Sequence, residues 1–439
     1  MAVHGNNPQQ NIIAIIPARY ASTRLPGKLL LKIAGKPLIL HTLGQAAKAR
    51  TVSRVIVATD DRRIFDVVSN SGGEAVMTSP NHLSGSDRLA EVAENLPEGS
   101  IVVNIQGDEP MIPPETIDMA VQALIDDPNA DIATTCEPIK HIQQELLNSN
   151  VVKVVAGDNG YALYFSRSPM PFPREATQRW DNDPGRALEE EPELMANFRK
   201  HTGIYVYRRE YLLKFTKLPP SKLERIEMLE QLRALENGAK IKVVEVSETS
   251  IGVDTPADFE RVRILLEEMP ISIREAGEVD VAAVSQVFVD SVRSSFACIY
   301  PDEYLDALSV EKREQIALER FSRVGYRLFV AETATGKAVG FVDCGPSVLE
   351  NVVHERQIYS LYLLSEYQKL GIGKKLFKAC ASRAIGDGYN ELCLDTVKRS
   401  PYRKFYDKIG GIVLGGGEHQ IGNEKMDTVI YAWRDLGAL

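Results

Sequence analysis

The first 59 residues contain no aspartate or glutamate, although they carry eight lysines and arginines. Over the whole 439-residue chain acids outnumber bases, 60 to 51, for a formal charge of −9. That balance argues against wholesale nucleic-acid binding, so any phosphate would be met by a local basic pocket. Cysteine is scarce. Cys136, Cys298, Cys344, Cys380 and Cys393 are odd in number and lack C-x-x-C spacing, which reads as reduced, mostly core thiols rather than a disulfide framework. No eighteen apolar residues run together, and residues 1–11 lack the apolar stretch of a signal peptide. A cytoplasmic protein without membrane insertion is expected. With 44% hydrophobic and 25% charged residues the composition is globular, and the length calls for two or three domains.

The early cations are gathered in one place. Ile12 to Ile16, bounded by Pro17, reads as a buried parallel strand. It opens into a loop with Arg19, Arg24 and Lys28, in which Pro26-Gly27 supplies turn chemistry and Ser22 and Thr23 supply hydroxyls. Fixed cations past a strand's carboxyl end suit a polyphosphate; a solvated basic loop is the competing reading. The phrase PARYASTRLPGK resembles the signature loop of the CMP-Kdo synthetases, the 3-deoxy-manno-octulosonate cytidylyltransferases. Sialic-acid cytidylyltransferases carry a similar loop, usually without the Leu-Pro-Gly-Lys ending. The resemblance implies a doubly wound, GT-A-like mixed sheet, with nucleotide contacts at Ala18, Arg19, Ser22, Thr23, Arg24 and Lys28.

Beyond the loop, strand and helix alternate at the pace of a doubly wound α/β sheet. A helix is expected from Pro37 to Ala49, a strand over Val55–Asp60, a helix over Ile64–Asn70 and a strand at Ala75–Met77. Ser86 or Asp87 could cap the next helix. The family has a comparable phrase here, which implies that Ser86 and Arg88 lie near the nucleotide. Ile101–Ile105 reads as a central strand, followed by Gln106-Gly107-Asp108-Glu109-Pro110. An oxygen ligand just past such a strand suits Mg²⁺ on a nucleotide, whereas a carboxylate bonded to its own turn is the plainer reading. QGDEP resembles the family's metal motif, and Gly252-Val253-Asp254-Thr255-Pro256 resembles its Gly-Val-Asp-Thr-Pro phrase. The resemblance therefore implies that Asp108 and Asp254 share Mg²⁺. Thr255 and Pro256 suit an N-cap and first helical position.

Between those motifs, strands are expected over Val151–Val155 and Tyr161–Arg167, and again over His201–Tyr207 and Ile241–Val246. Pro169–Glu193 reads as an irregular, exposed excursion in which Glu189-Glu190-Glu191 is solvated charge. Leu223–Gly238 reads as one amphipathic helix with Met228, Leu229, Leu232 and Leu235 as its apolar stripe. Glu227 and Glu230 default to solvent. The family resemblance implies a sugar-acid site with Gln106, His201, Tyr205, Glu227 and Gln231.

The pattern restarts after Glu267-Glu268-Met269-Pro270, giving a flexible 1–11, a first domain over 12–268 and a second over 269–439. In the second, a strand ending near Leu364 leads to Gln368-Lys369-Leu370-Gly371-Ile372-Gly373-Lys374 and a helix over Lys375–Ile385. Backbone N–H groups at such a helix start can hold a pyrophosphate, and Lys369 and Lys374 add charge. This order resembles the GNAT acetyltransferases, an α+β fold, as does Phe405-Tyr406-Asp407-Lys408-Ile409-Gly410-Gly411. The resemblance implies acetyl-CoA contacts at Leu361, Leu363, Gln368, Lys369, Gly371, Ile372, Gly373 and Lys374, with Tyr406 protonating the departing thiolate. Arg399 and Gly411 depart from the pattern, which usually has asparagine and phenylalanine there.

Together the resemblances imply a bifunctional transferase of lipopolysaccharide biosynthesis. CTP and a 3-deoxy-2-ulosonic acid (Kdo or an amino-substituted relative) would give a CMP-sugar and pyrophosphate, with acetyl transfer to an amine of the same pathway. A homodimer through the first domain is expected from the family. A nonulosonate substrate, or a non-catalytic acetyl-CoA-binding second domain, are the alternatives.

Overall fold

The computed structural model describes residues 11–439 except 23, 83, 248–249, 298, 350–354 and 439. The chain forms two compact units, Met1–Val262 and Arg263–Leu439. The break comes before the expected Glu267–Pro270 because Ile264 packs with Ile271 in the second unit's core. The flexible segment expected at 1–11 lies outside the described residues, apart from Asn11.

The first unit holds β1 (Ile12–Ala18), the two-residue β2 (Lys32–Ile33) and β3 (Lys36–Pro37), β4 (Arg54–Thr59), β5 (Glu74–Met77) and β6 (Ile101–Asn104). It continues with β7 (Ile132–Pro138), β8 (Lys153–Ala156), β9 (Ala162–Ser166), β10 (Arg199–Arg208) and β11 (Ile241–Glu245). The main sheet runs β11-β7-β10-β6-β1-β4-β5, with β8 and β9 attached beside β10. β1 lies parallel between β4 and β6, whereas β10 is antiparallel to both β6 and β7. The near-continuous apolar run of β1 is buried on both faces, as such a central strand requires. Its carboxyl end therefore opens beside that of β6, and the two loops singled out above are neighbours.

Four local expectations are corrected. Ser84, not Ser86 or Asp87, caps the Gly85–Ala93 helix, because Ser84 and Asp87 form a reciprocal capping box. Leu223–Gly238 is two helices, Lys222–Glu227 and Glu230–Glu236, divided at Met228 in the left-handed region (φ 54°). Met228 leaves the apolar stripe and is exposed. The stretch 169–193 contains two short helices, Arg174–Arg179 and Pro184–Glu190, and Glu191 is bonded to Arg179 and the Trp180 indole. Pro37 sits just before the Leu38–Ala46 helix rather than inside its first turn.

The second unit adds β12 (Ser272–Glu275), β13 (Arg327–Glu332), β14 (Ala338–Pro346), β15 (Arg356–Leu363), β16 (Leu392–Val397), β17 (Ile412–Ile421) and β18 (Glu424–Trp433). They form one sheet in the order β12-β13-β14-β15-β16-β18-β17. Every pairing is antiparallel except β15 with β16, which run parallel and share a single register pair, Gln357 with Cys393. Beyond that pair the two strands diverge. The helices Val281–Ser295 and Ile372–Gly386 pack against this sheet. Cys136, Cys344, Cys380 and Cys393 are free and buried; Cys298 lies outside the described residues. No described helix is long and apolar enough to cross a membrane.

Candidate active sites

Gly27, at φ 65°, turns the first loop so that Lys28 opens a short 3-10 turn and points back at the sheet. Its ammonium contacts the Asp108 carboxylate and lies 3.0 Å from Asp254 Oδ1. Burial opposes the charge, but the two carboxylates outweigh it and raise the Lys28 pKa above the usual lysine range. Arg24 Nη2 reaches Asp254 Oδ2 at 3.0 Å. The two aspartate loops are stitched together as well: the Val253 amide donates to the Asp108 carbonyl at 2.8 Å. Asp258 completes a box with Thr255 and accepts from the Asp254 amide at 3.1 Å, fixing the start of the Pro256–Arg263 helix.

The loop after β6 passes tightly over β1. A Cβ on Gly107 would stand 3.1 Å from the Pro17 carbonyl, and Thr42 donates to the Gly107 carbonyl at 2.9 Å. Ala18 is the buried last residue of β1, and Arg19 donates to the His82 carbonyl at 2.8 Å. Ser22 Oγ accepts from the Leu25 amide; Thr23 lies outside the described residues. Arg88 is fully buried and bonds Asp60 and Thr78, the residues that follow β4 and β5. Ser86 Oγ donates to Glu230 at 2.7 Å, which corrects the solvent reading of Glu230.

Gln106 lies against β10, the strand that carries His201 and Tyr205. A register shift in β10 between His201 and Tyr205 brings Gly203 over the loop, where a Cβ would be 3.6 Å from Gln106 Cγ and 3.2 Å from Glu109 Oε1. His201 is held in one tautomer. Thr134 gives its only hydroxyl hydrogen to the Ile204 carbonyl (2.6 Å), so His201 Nε2 must donate to Thr134 Oγ1 (2.8 Å). Burial pushes the His201 pKa down to about 3, leaving a neutral ring whose Nδ1 can accept. Tyr205 lies 5.1 Å from that ring. Glu227 accepts from Ser166 Oγ (2.6 Å) and the Arg167 amide (3.0 Å), again not a solvent carboxylate, and Gln231 is buried. Glu109, given no role above, lies beside Gly203 and accepts from Ser250 Oγ at 3.2 Å. Burial, then the Asp108 charge, lifts its pKa to about 7. Its place in QGDEP was the available signal.

In the second unit Gly371 (φ 78°) caps the Ile372–Gly386 helix, so the amides of Ile372, Gly373 and Lys374 lack intrahelical acceptors. Lys369 is also left-handed, at φ 62°. Leu361 and Leu363 are half-buried on β15, and Gln368 bonds the Leu363 carbonyl. Burial and the nearby Tyr362 and Asp395 push the Tyr406 hydroxyl upward, so it stays protonated. The Gly411 departure has a structural reason: a Cβ there would meet Trp433 at 2.8 Å and the Tyr406 carbonyl at 2.9 Å.

A cytidylyltransferase family model matches residues 13–241, and a GNAT acetyltransferase-domain model matches 324–410. The 3-deoxy-manno-octulosonate cytidylyltransferase of Trichlorobacter lovleyi is 50% identical over 252 residues, 57% of this chain and 97% of the relative. That of Geobacter sulfurreducens is 51% identical over 254 residues, 57% of this chain and 98% of the relative. The solved structure of a CMP:2-keto-3-deoxy-manno-octonic acid synthetase complexed with CTP is 43% identical, with a TM-score of 0.52 over 58% of this chain and 98% of that one. The chain belongs to the cytidylyltransferase family and carries a GNAT acetyltransferase domain later in its sequence.

Proposed function

We propose that the first unit transfers CMP from CTP to 3-deoxy-manno-octulosonate or a close 2-ulosonic acid, releasing pyrophosphate. The observation that carries this reading is the convergence of Lys28, Asp108 and Asp254 beside the carboxyl ends of β1 and β6. Relatives of that activity at 50–51% identity support the same substrate. The anomeric oxygen attacks the α-phosphorus in line, and the chain contributes position and charge. Arg19, Arg24 and Lys28 neutralise the triphosphate; His201 Nδ1, Gln106 and Tyr205 orient the sugar acid. Asp108 and Asp254, two hard carboxylates on stitched loops, have the donor chemistry that, together with a nucleotide, would hold Mg²⁺. Bound there, it would offset charge on the transferred phosphoryl group. Pyrophosphate release with CTP and 3-deoxy-manno-octulosonate tests the reading, and a nonulosonate panel separates the rival substrate. Homodimerisation through the first unit is part of the proposal and is checked by light scattering.

The second unit, in this reading, binds acetyl-CoA at the free amides of 372–374 and transfers the acetyl group to an amine, with Tyr406 protonating the thiolate. An amino-substituted sugar acid of the same pathway is the proposed acceptor, because 3-deoxy-manno-octulosonate has no amine. Calorimetry with acetyl-CoA tests binding, and Tyr406→Phe kinetics separate catalysis from a binding-only role.

A further inference from the structure

Acetyl transfer needs a group that removes a proton from the acceptor, and none of the residues above does so. His419 Nδ1 stands 2.9 Å from Asp395 Oδ2, an ion-pair geometry between β17 and β16. The second Asp395 oxygen accepts from Gln357 Nε2 at 3.1 Å, so the carboxylate is fixed from both sides. The aspartate side chain is only 12% exposed, while the imidazole is 58% exposed. A largely buried carboxylate facing Nδ1 favours the Nδ1–H tautomer of the solvent-facing ring, in which Nε2 is the basic atom.

The sheet register puts this pair on one face of the sheet, the face that carries Met426. Asp395 lies opposite Ile430 and His419 opposite Met426, both on β18 and four residues apart, hence on the same sheet face. Met426 packs against the same buried cluster, Val292, Phe296, Leu305 and Val397, as do Tyr300, Tyr304, Tyr362 and Tyr402. Tyr300 stacks on Phe296 at 4.5 Å, Tyr304 meets Tyr300 edge-on at 5.6 Å, and the Gly422 turn of the β17–β18 hairpin closes against Tyr304. Tyr362 stands on β15, just where β15 and β16 diverge. Tyr406 lies close enough to Tyr362 and Asp395 to feel both. Tyrosine rings and a largely buried carboxylate on one sheet face suit a primary ammonium.

We propose that Asp395 and His419 are the base of the acetyl acceptor's subsite, with His419 taking the proton from a primary ammonium held against Tyr300, Tyr304 and Tyr362. The proposal rests on the acetyl-transfer reading above. The ammonium N–H proton passes to His419 Nε2, and the freed nitrogen pair forms the C–N bond to the acetyl carbonyl. The C–S bond breaks as the Tyr406 hydroxyl proton goes to the thiolate; the surplus proton on the new amide nitrogen returns through water to the tyrosinate. His419 gives its proton to solvent, so the net products are amide, free thiol and one proton. His419 is the catalytic residue and Asp395 the positioning residue.

The test uses the full chain, acetyl-CoA, and a panel of amino sugars and short alkyl amines, with water as the default acceptor, read by thiol release. His419→Ala is expected to lose 10²- to 10⁴-fold in kcat while keeping acetyl-CoA affinity and pyrophosphate release by the first unit. Added imidazole is expected to restore part of that rate, which a purely structural role would not allow. Asp395→Asn is expected to lower kcat with little change in KM. Unchanged thiol release in His419→Ala, or loss without imidazole rescue, overturns the proposal. Acetyl-CoA binding without thiol release to any acceptor or water by the wild-type chain overturns it too, while the acetyl-CoA reading stands. Absence of acetyl-CoA binding overturns both.

Discussion

Lys28 Nζ lies 3.0 Å from Asp254 Oδ1, although 226 residues separate them. The same ammonium touches Asp108, so one cation from the first loop holds two acids from distant loops. A half-buried amine between two carboxylates stays charged at any physiological pH, and neutralising one carboxylate leaves the other to pair with it.

Asp108→Asn is therefore expected to leave the fold intact and to reduce CMP transfer to background. Lys28→Met is expected to cost about 10²–10³ in kcat, the loss typical of one preorganised donor at a developing charge. Pyrophosphate release gives both rates, and thermal melting checks the fold. Near-normal turnover in Asp108→Asn would remove the basis for the proposed metal site.

The His201 ring makes a statement about pH. Its pKa is about 3 in the folded chain against 6.5 for the free side chain, so the unfolded chain binds the extra proton between those values. Stability is full above about 6.5 and is lost as the pH falls, by up to about 1.4 kcal/mol per pH unit from this group. His201→Asn cannot titrate, so its first unit is expected to show a shallower acid limb. Denaturant melts at stepped pH, compared between the two chains, measure the difference; parallel limbs would mean that the ring is not buried neutral.

Much of this was legible from residues alone. Apolar runs such as Ile12–Ile16 have one cheap solution, a buried parallel strand, and the cations after it follow the strand's end. The motif phrases placed Asp108 and Asp254 in distant loops, but only tertiary pairing of β1 with β6 could set them around Lys28. The single helix expected over Leu223–Gly238 failed because its period continues through Met228 while the backbone there turns left-handed. Glu227 and Glu230 read as solvent carboxylates because their partners, Ser166 and Ser86, are far away in the chain. The Asp395–His419 pair was invisible for the same reason: neither residue sits in a motif, and a third strand, β18, lies between theirs in the sheet.

Tyr406→Phe separates chemistry from binding in the second unit. The ring is packed among Phe405, Tyr431 and Trp433, so removing one hydroxyl should leave the fold and acetyl-CoA affinity unaltered. Thiol release is expected to fall by about 10²–10⁴, the usual worth of a positioned acid. Equal rates in the two chains would assign the leaving-group proton to water.

Gly411 and Trp433 occupy one space between them. The indole donates to the Ile409 carbonyl at 2.9 Å and fills the volume that a side chain at 411 would claim. Restoring the more usual residue with Gly411→Phe should therefore destabilise the second unit by at least about 1–3 kcal/mol, the ordinary cost of overpacking. Trimming the opposing ring in Gly411→Phe/Trp433→Leu is expected to recover part of that loss, although Trp433→Leu alone is itself destabilising. A double-mutant cycle by denaturant unfolding reads the coupling: a non-additive, favourable term means that the two positions trade one volume. Additive losses would instead place the strain on the Tyr406 carbonyl, 2.9 Å from the added Cβ, which no change at 433 can relieve.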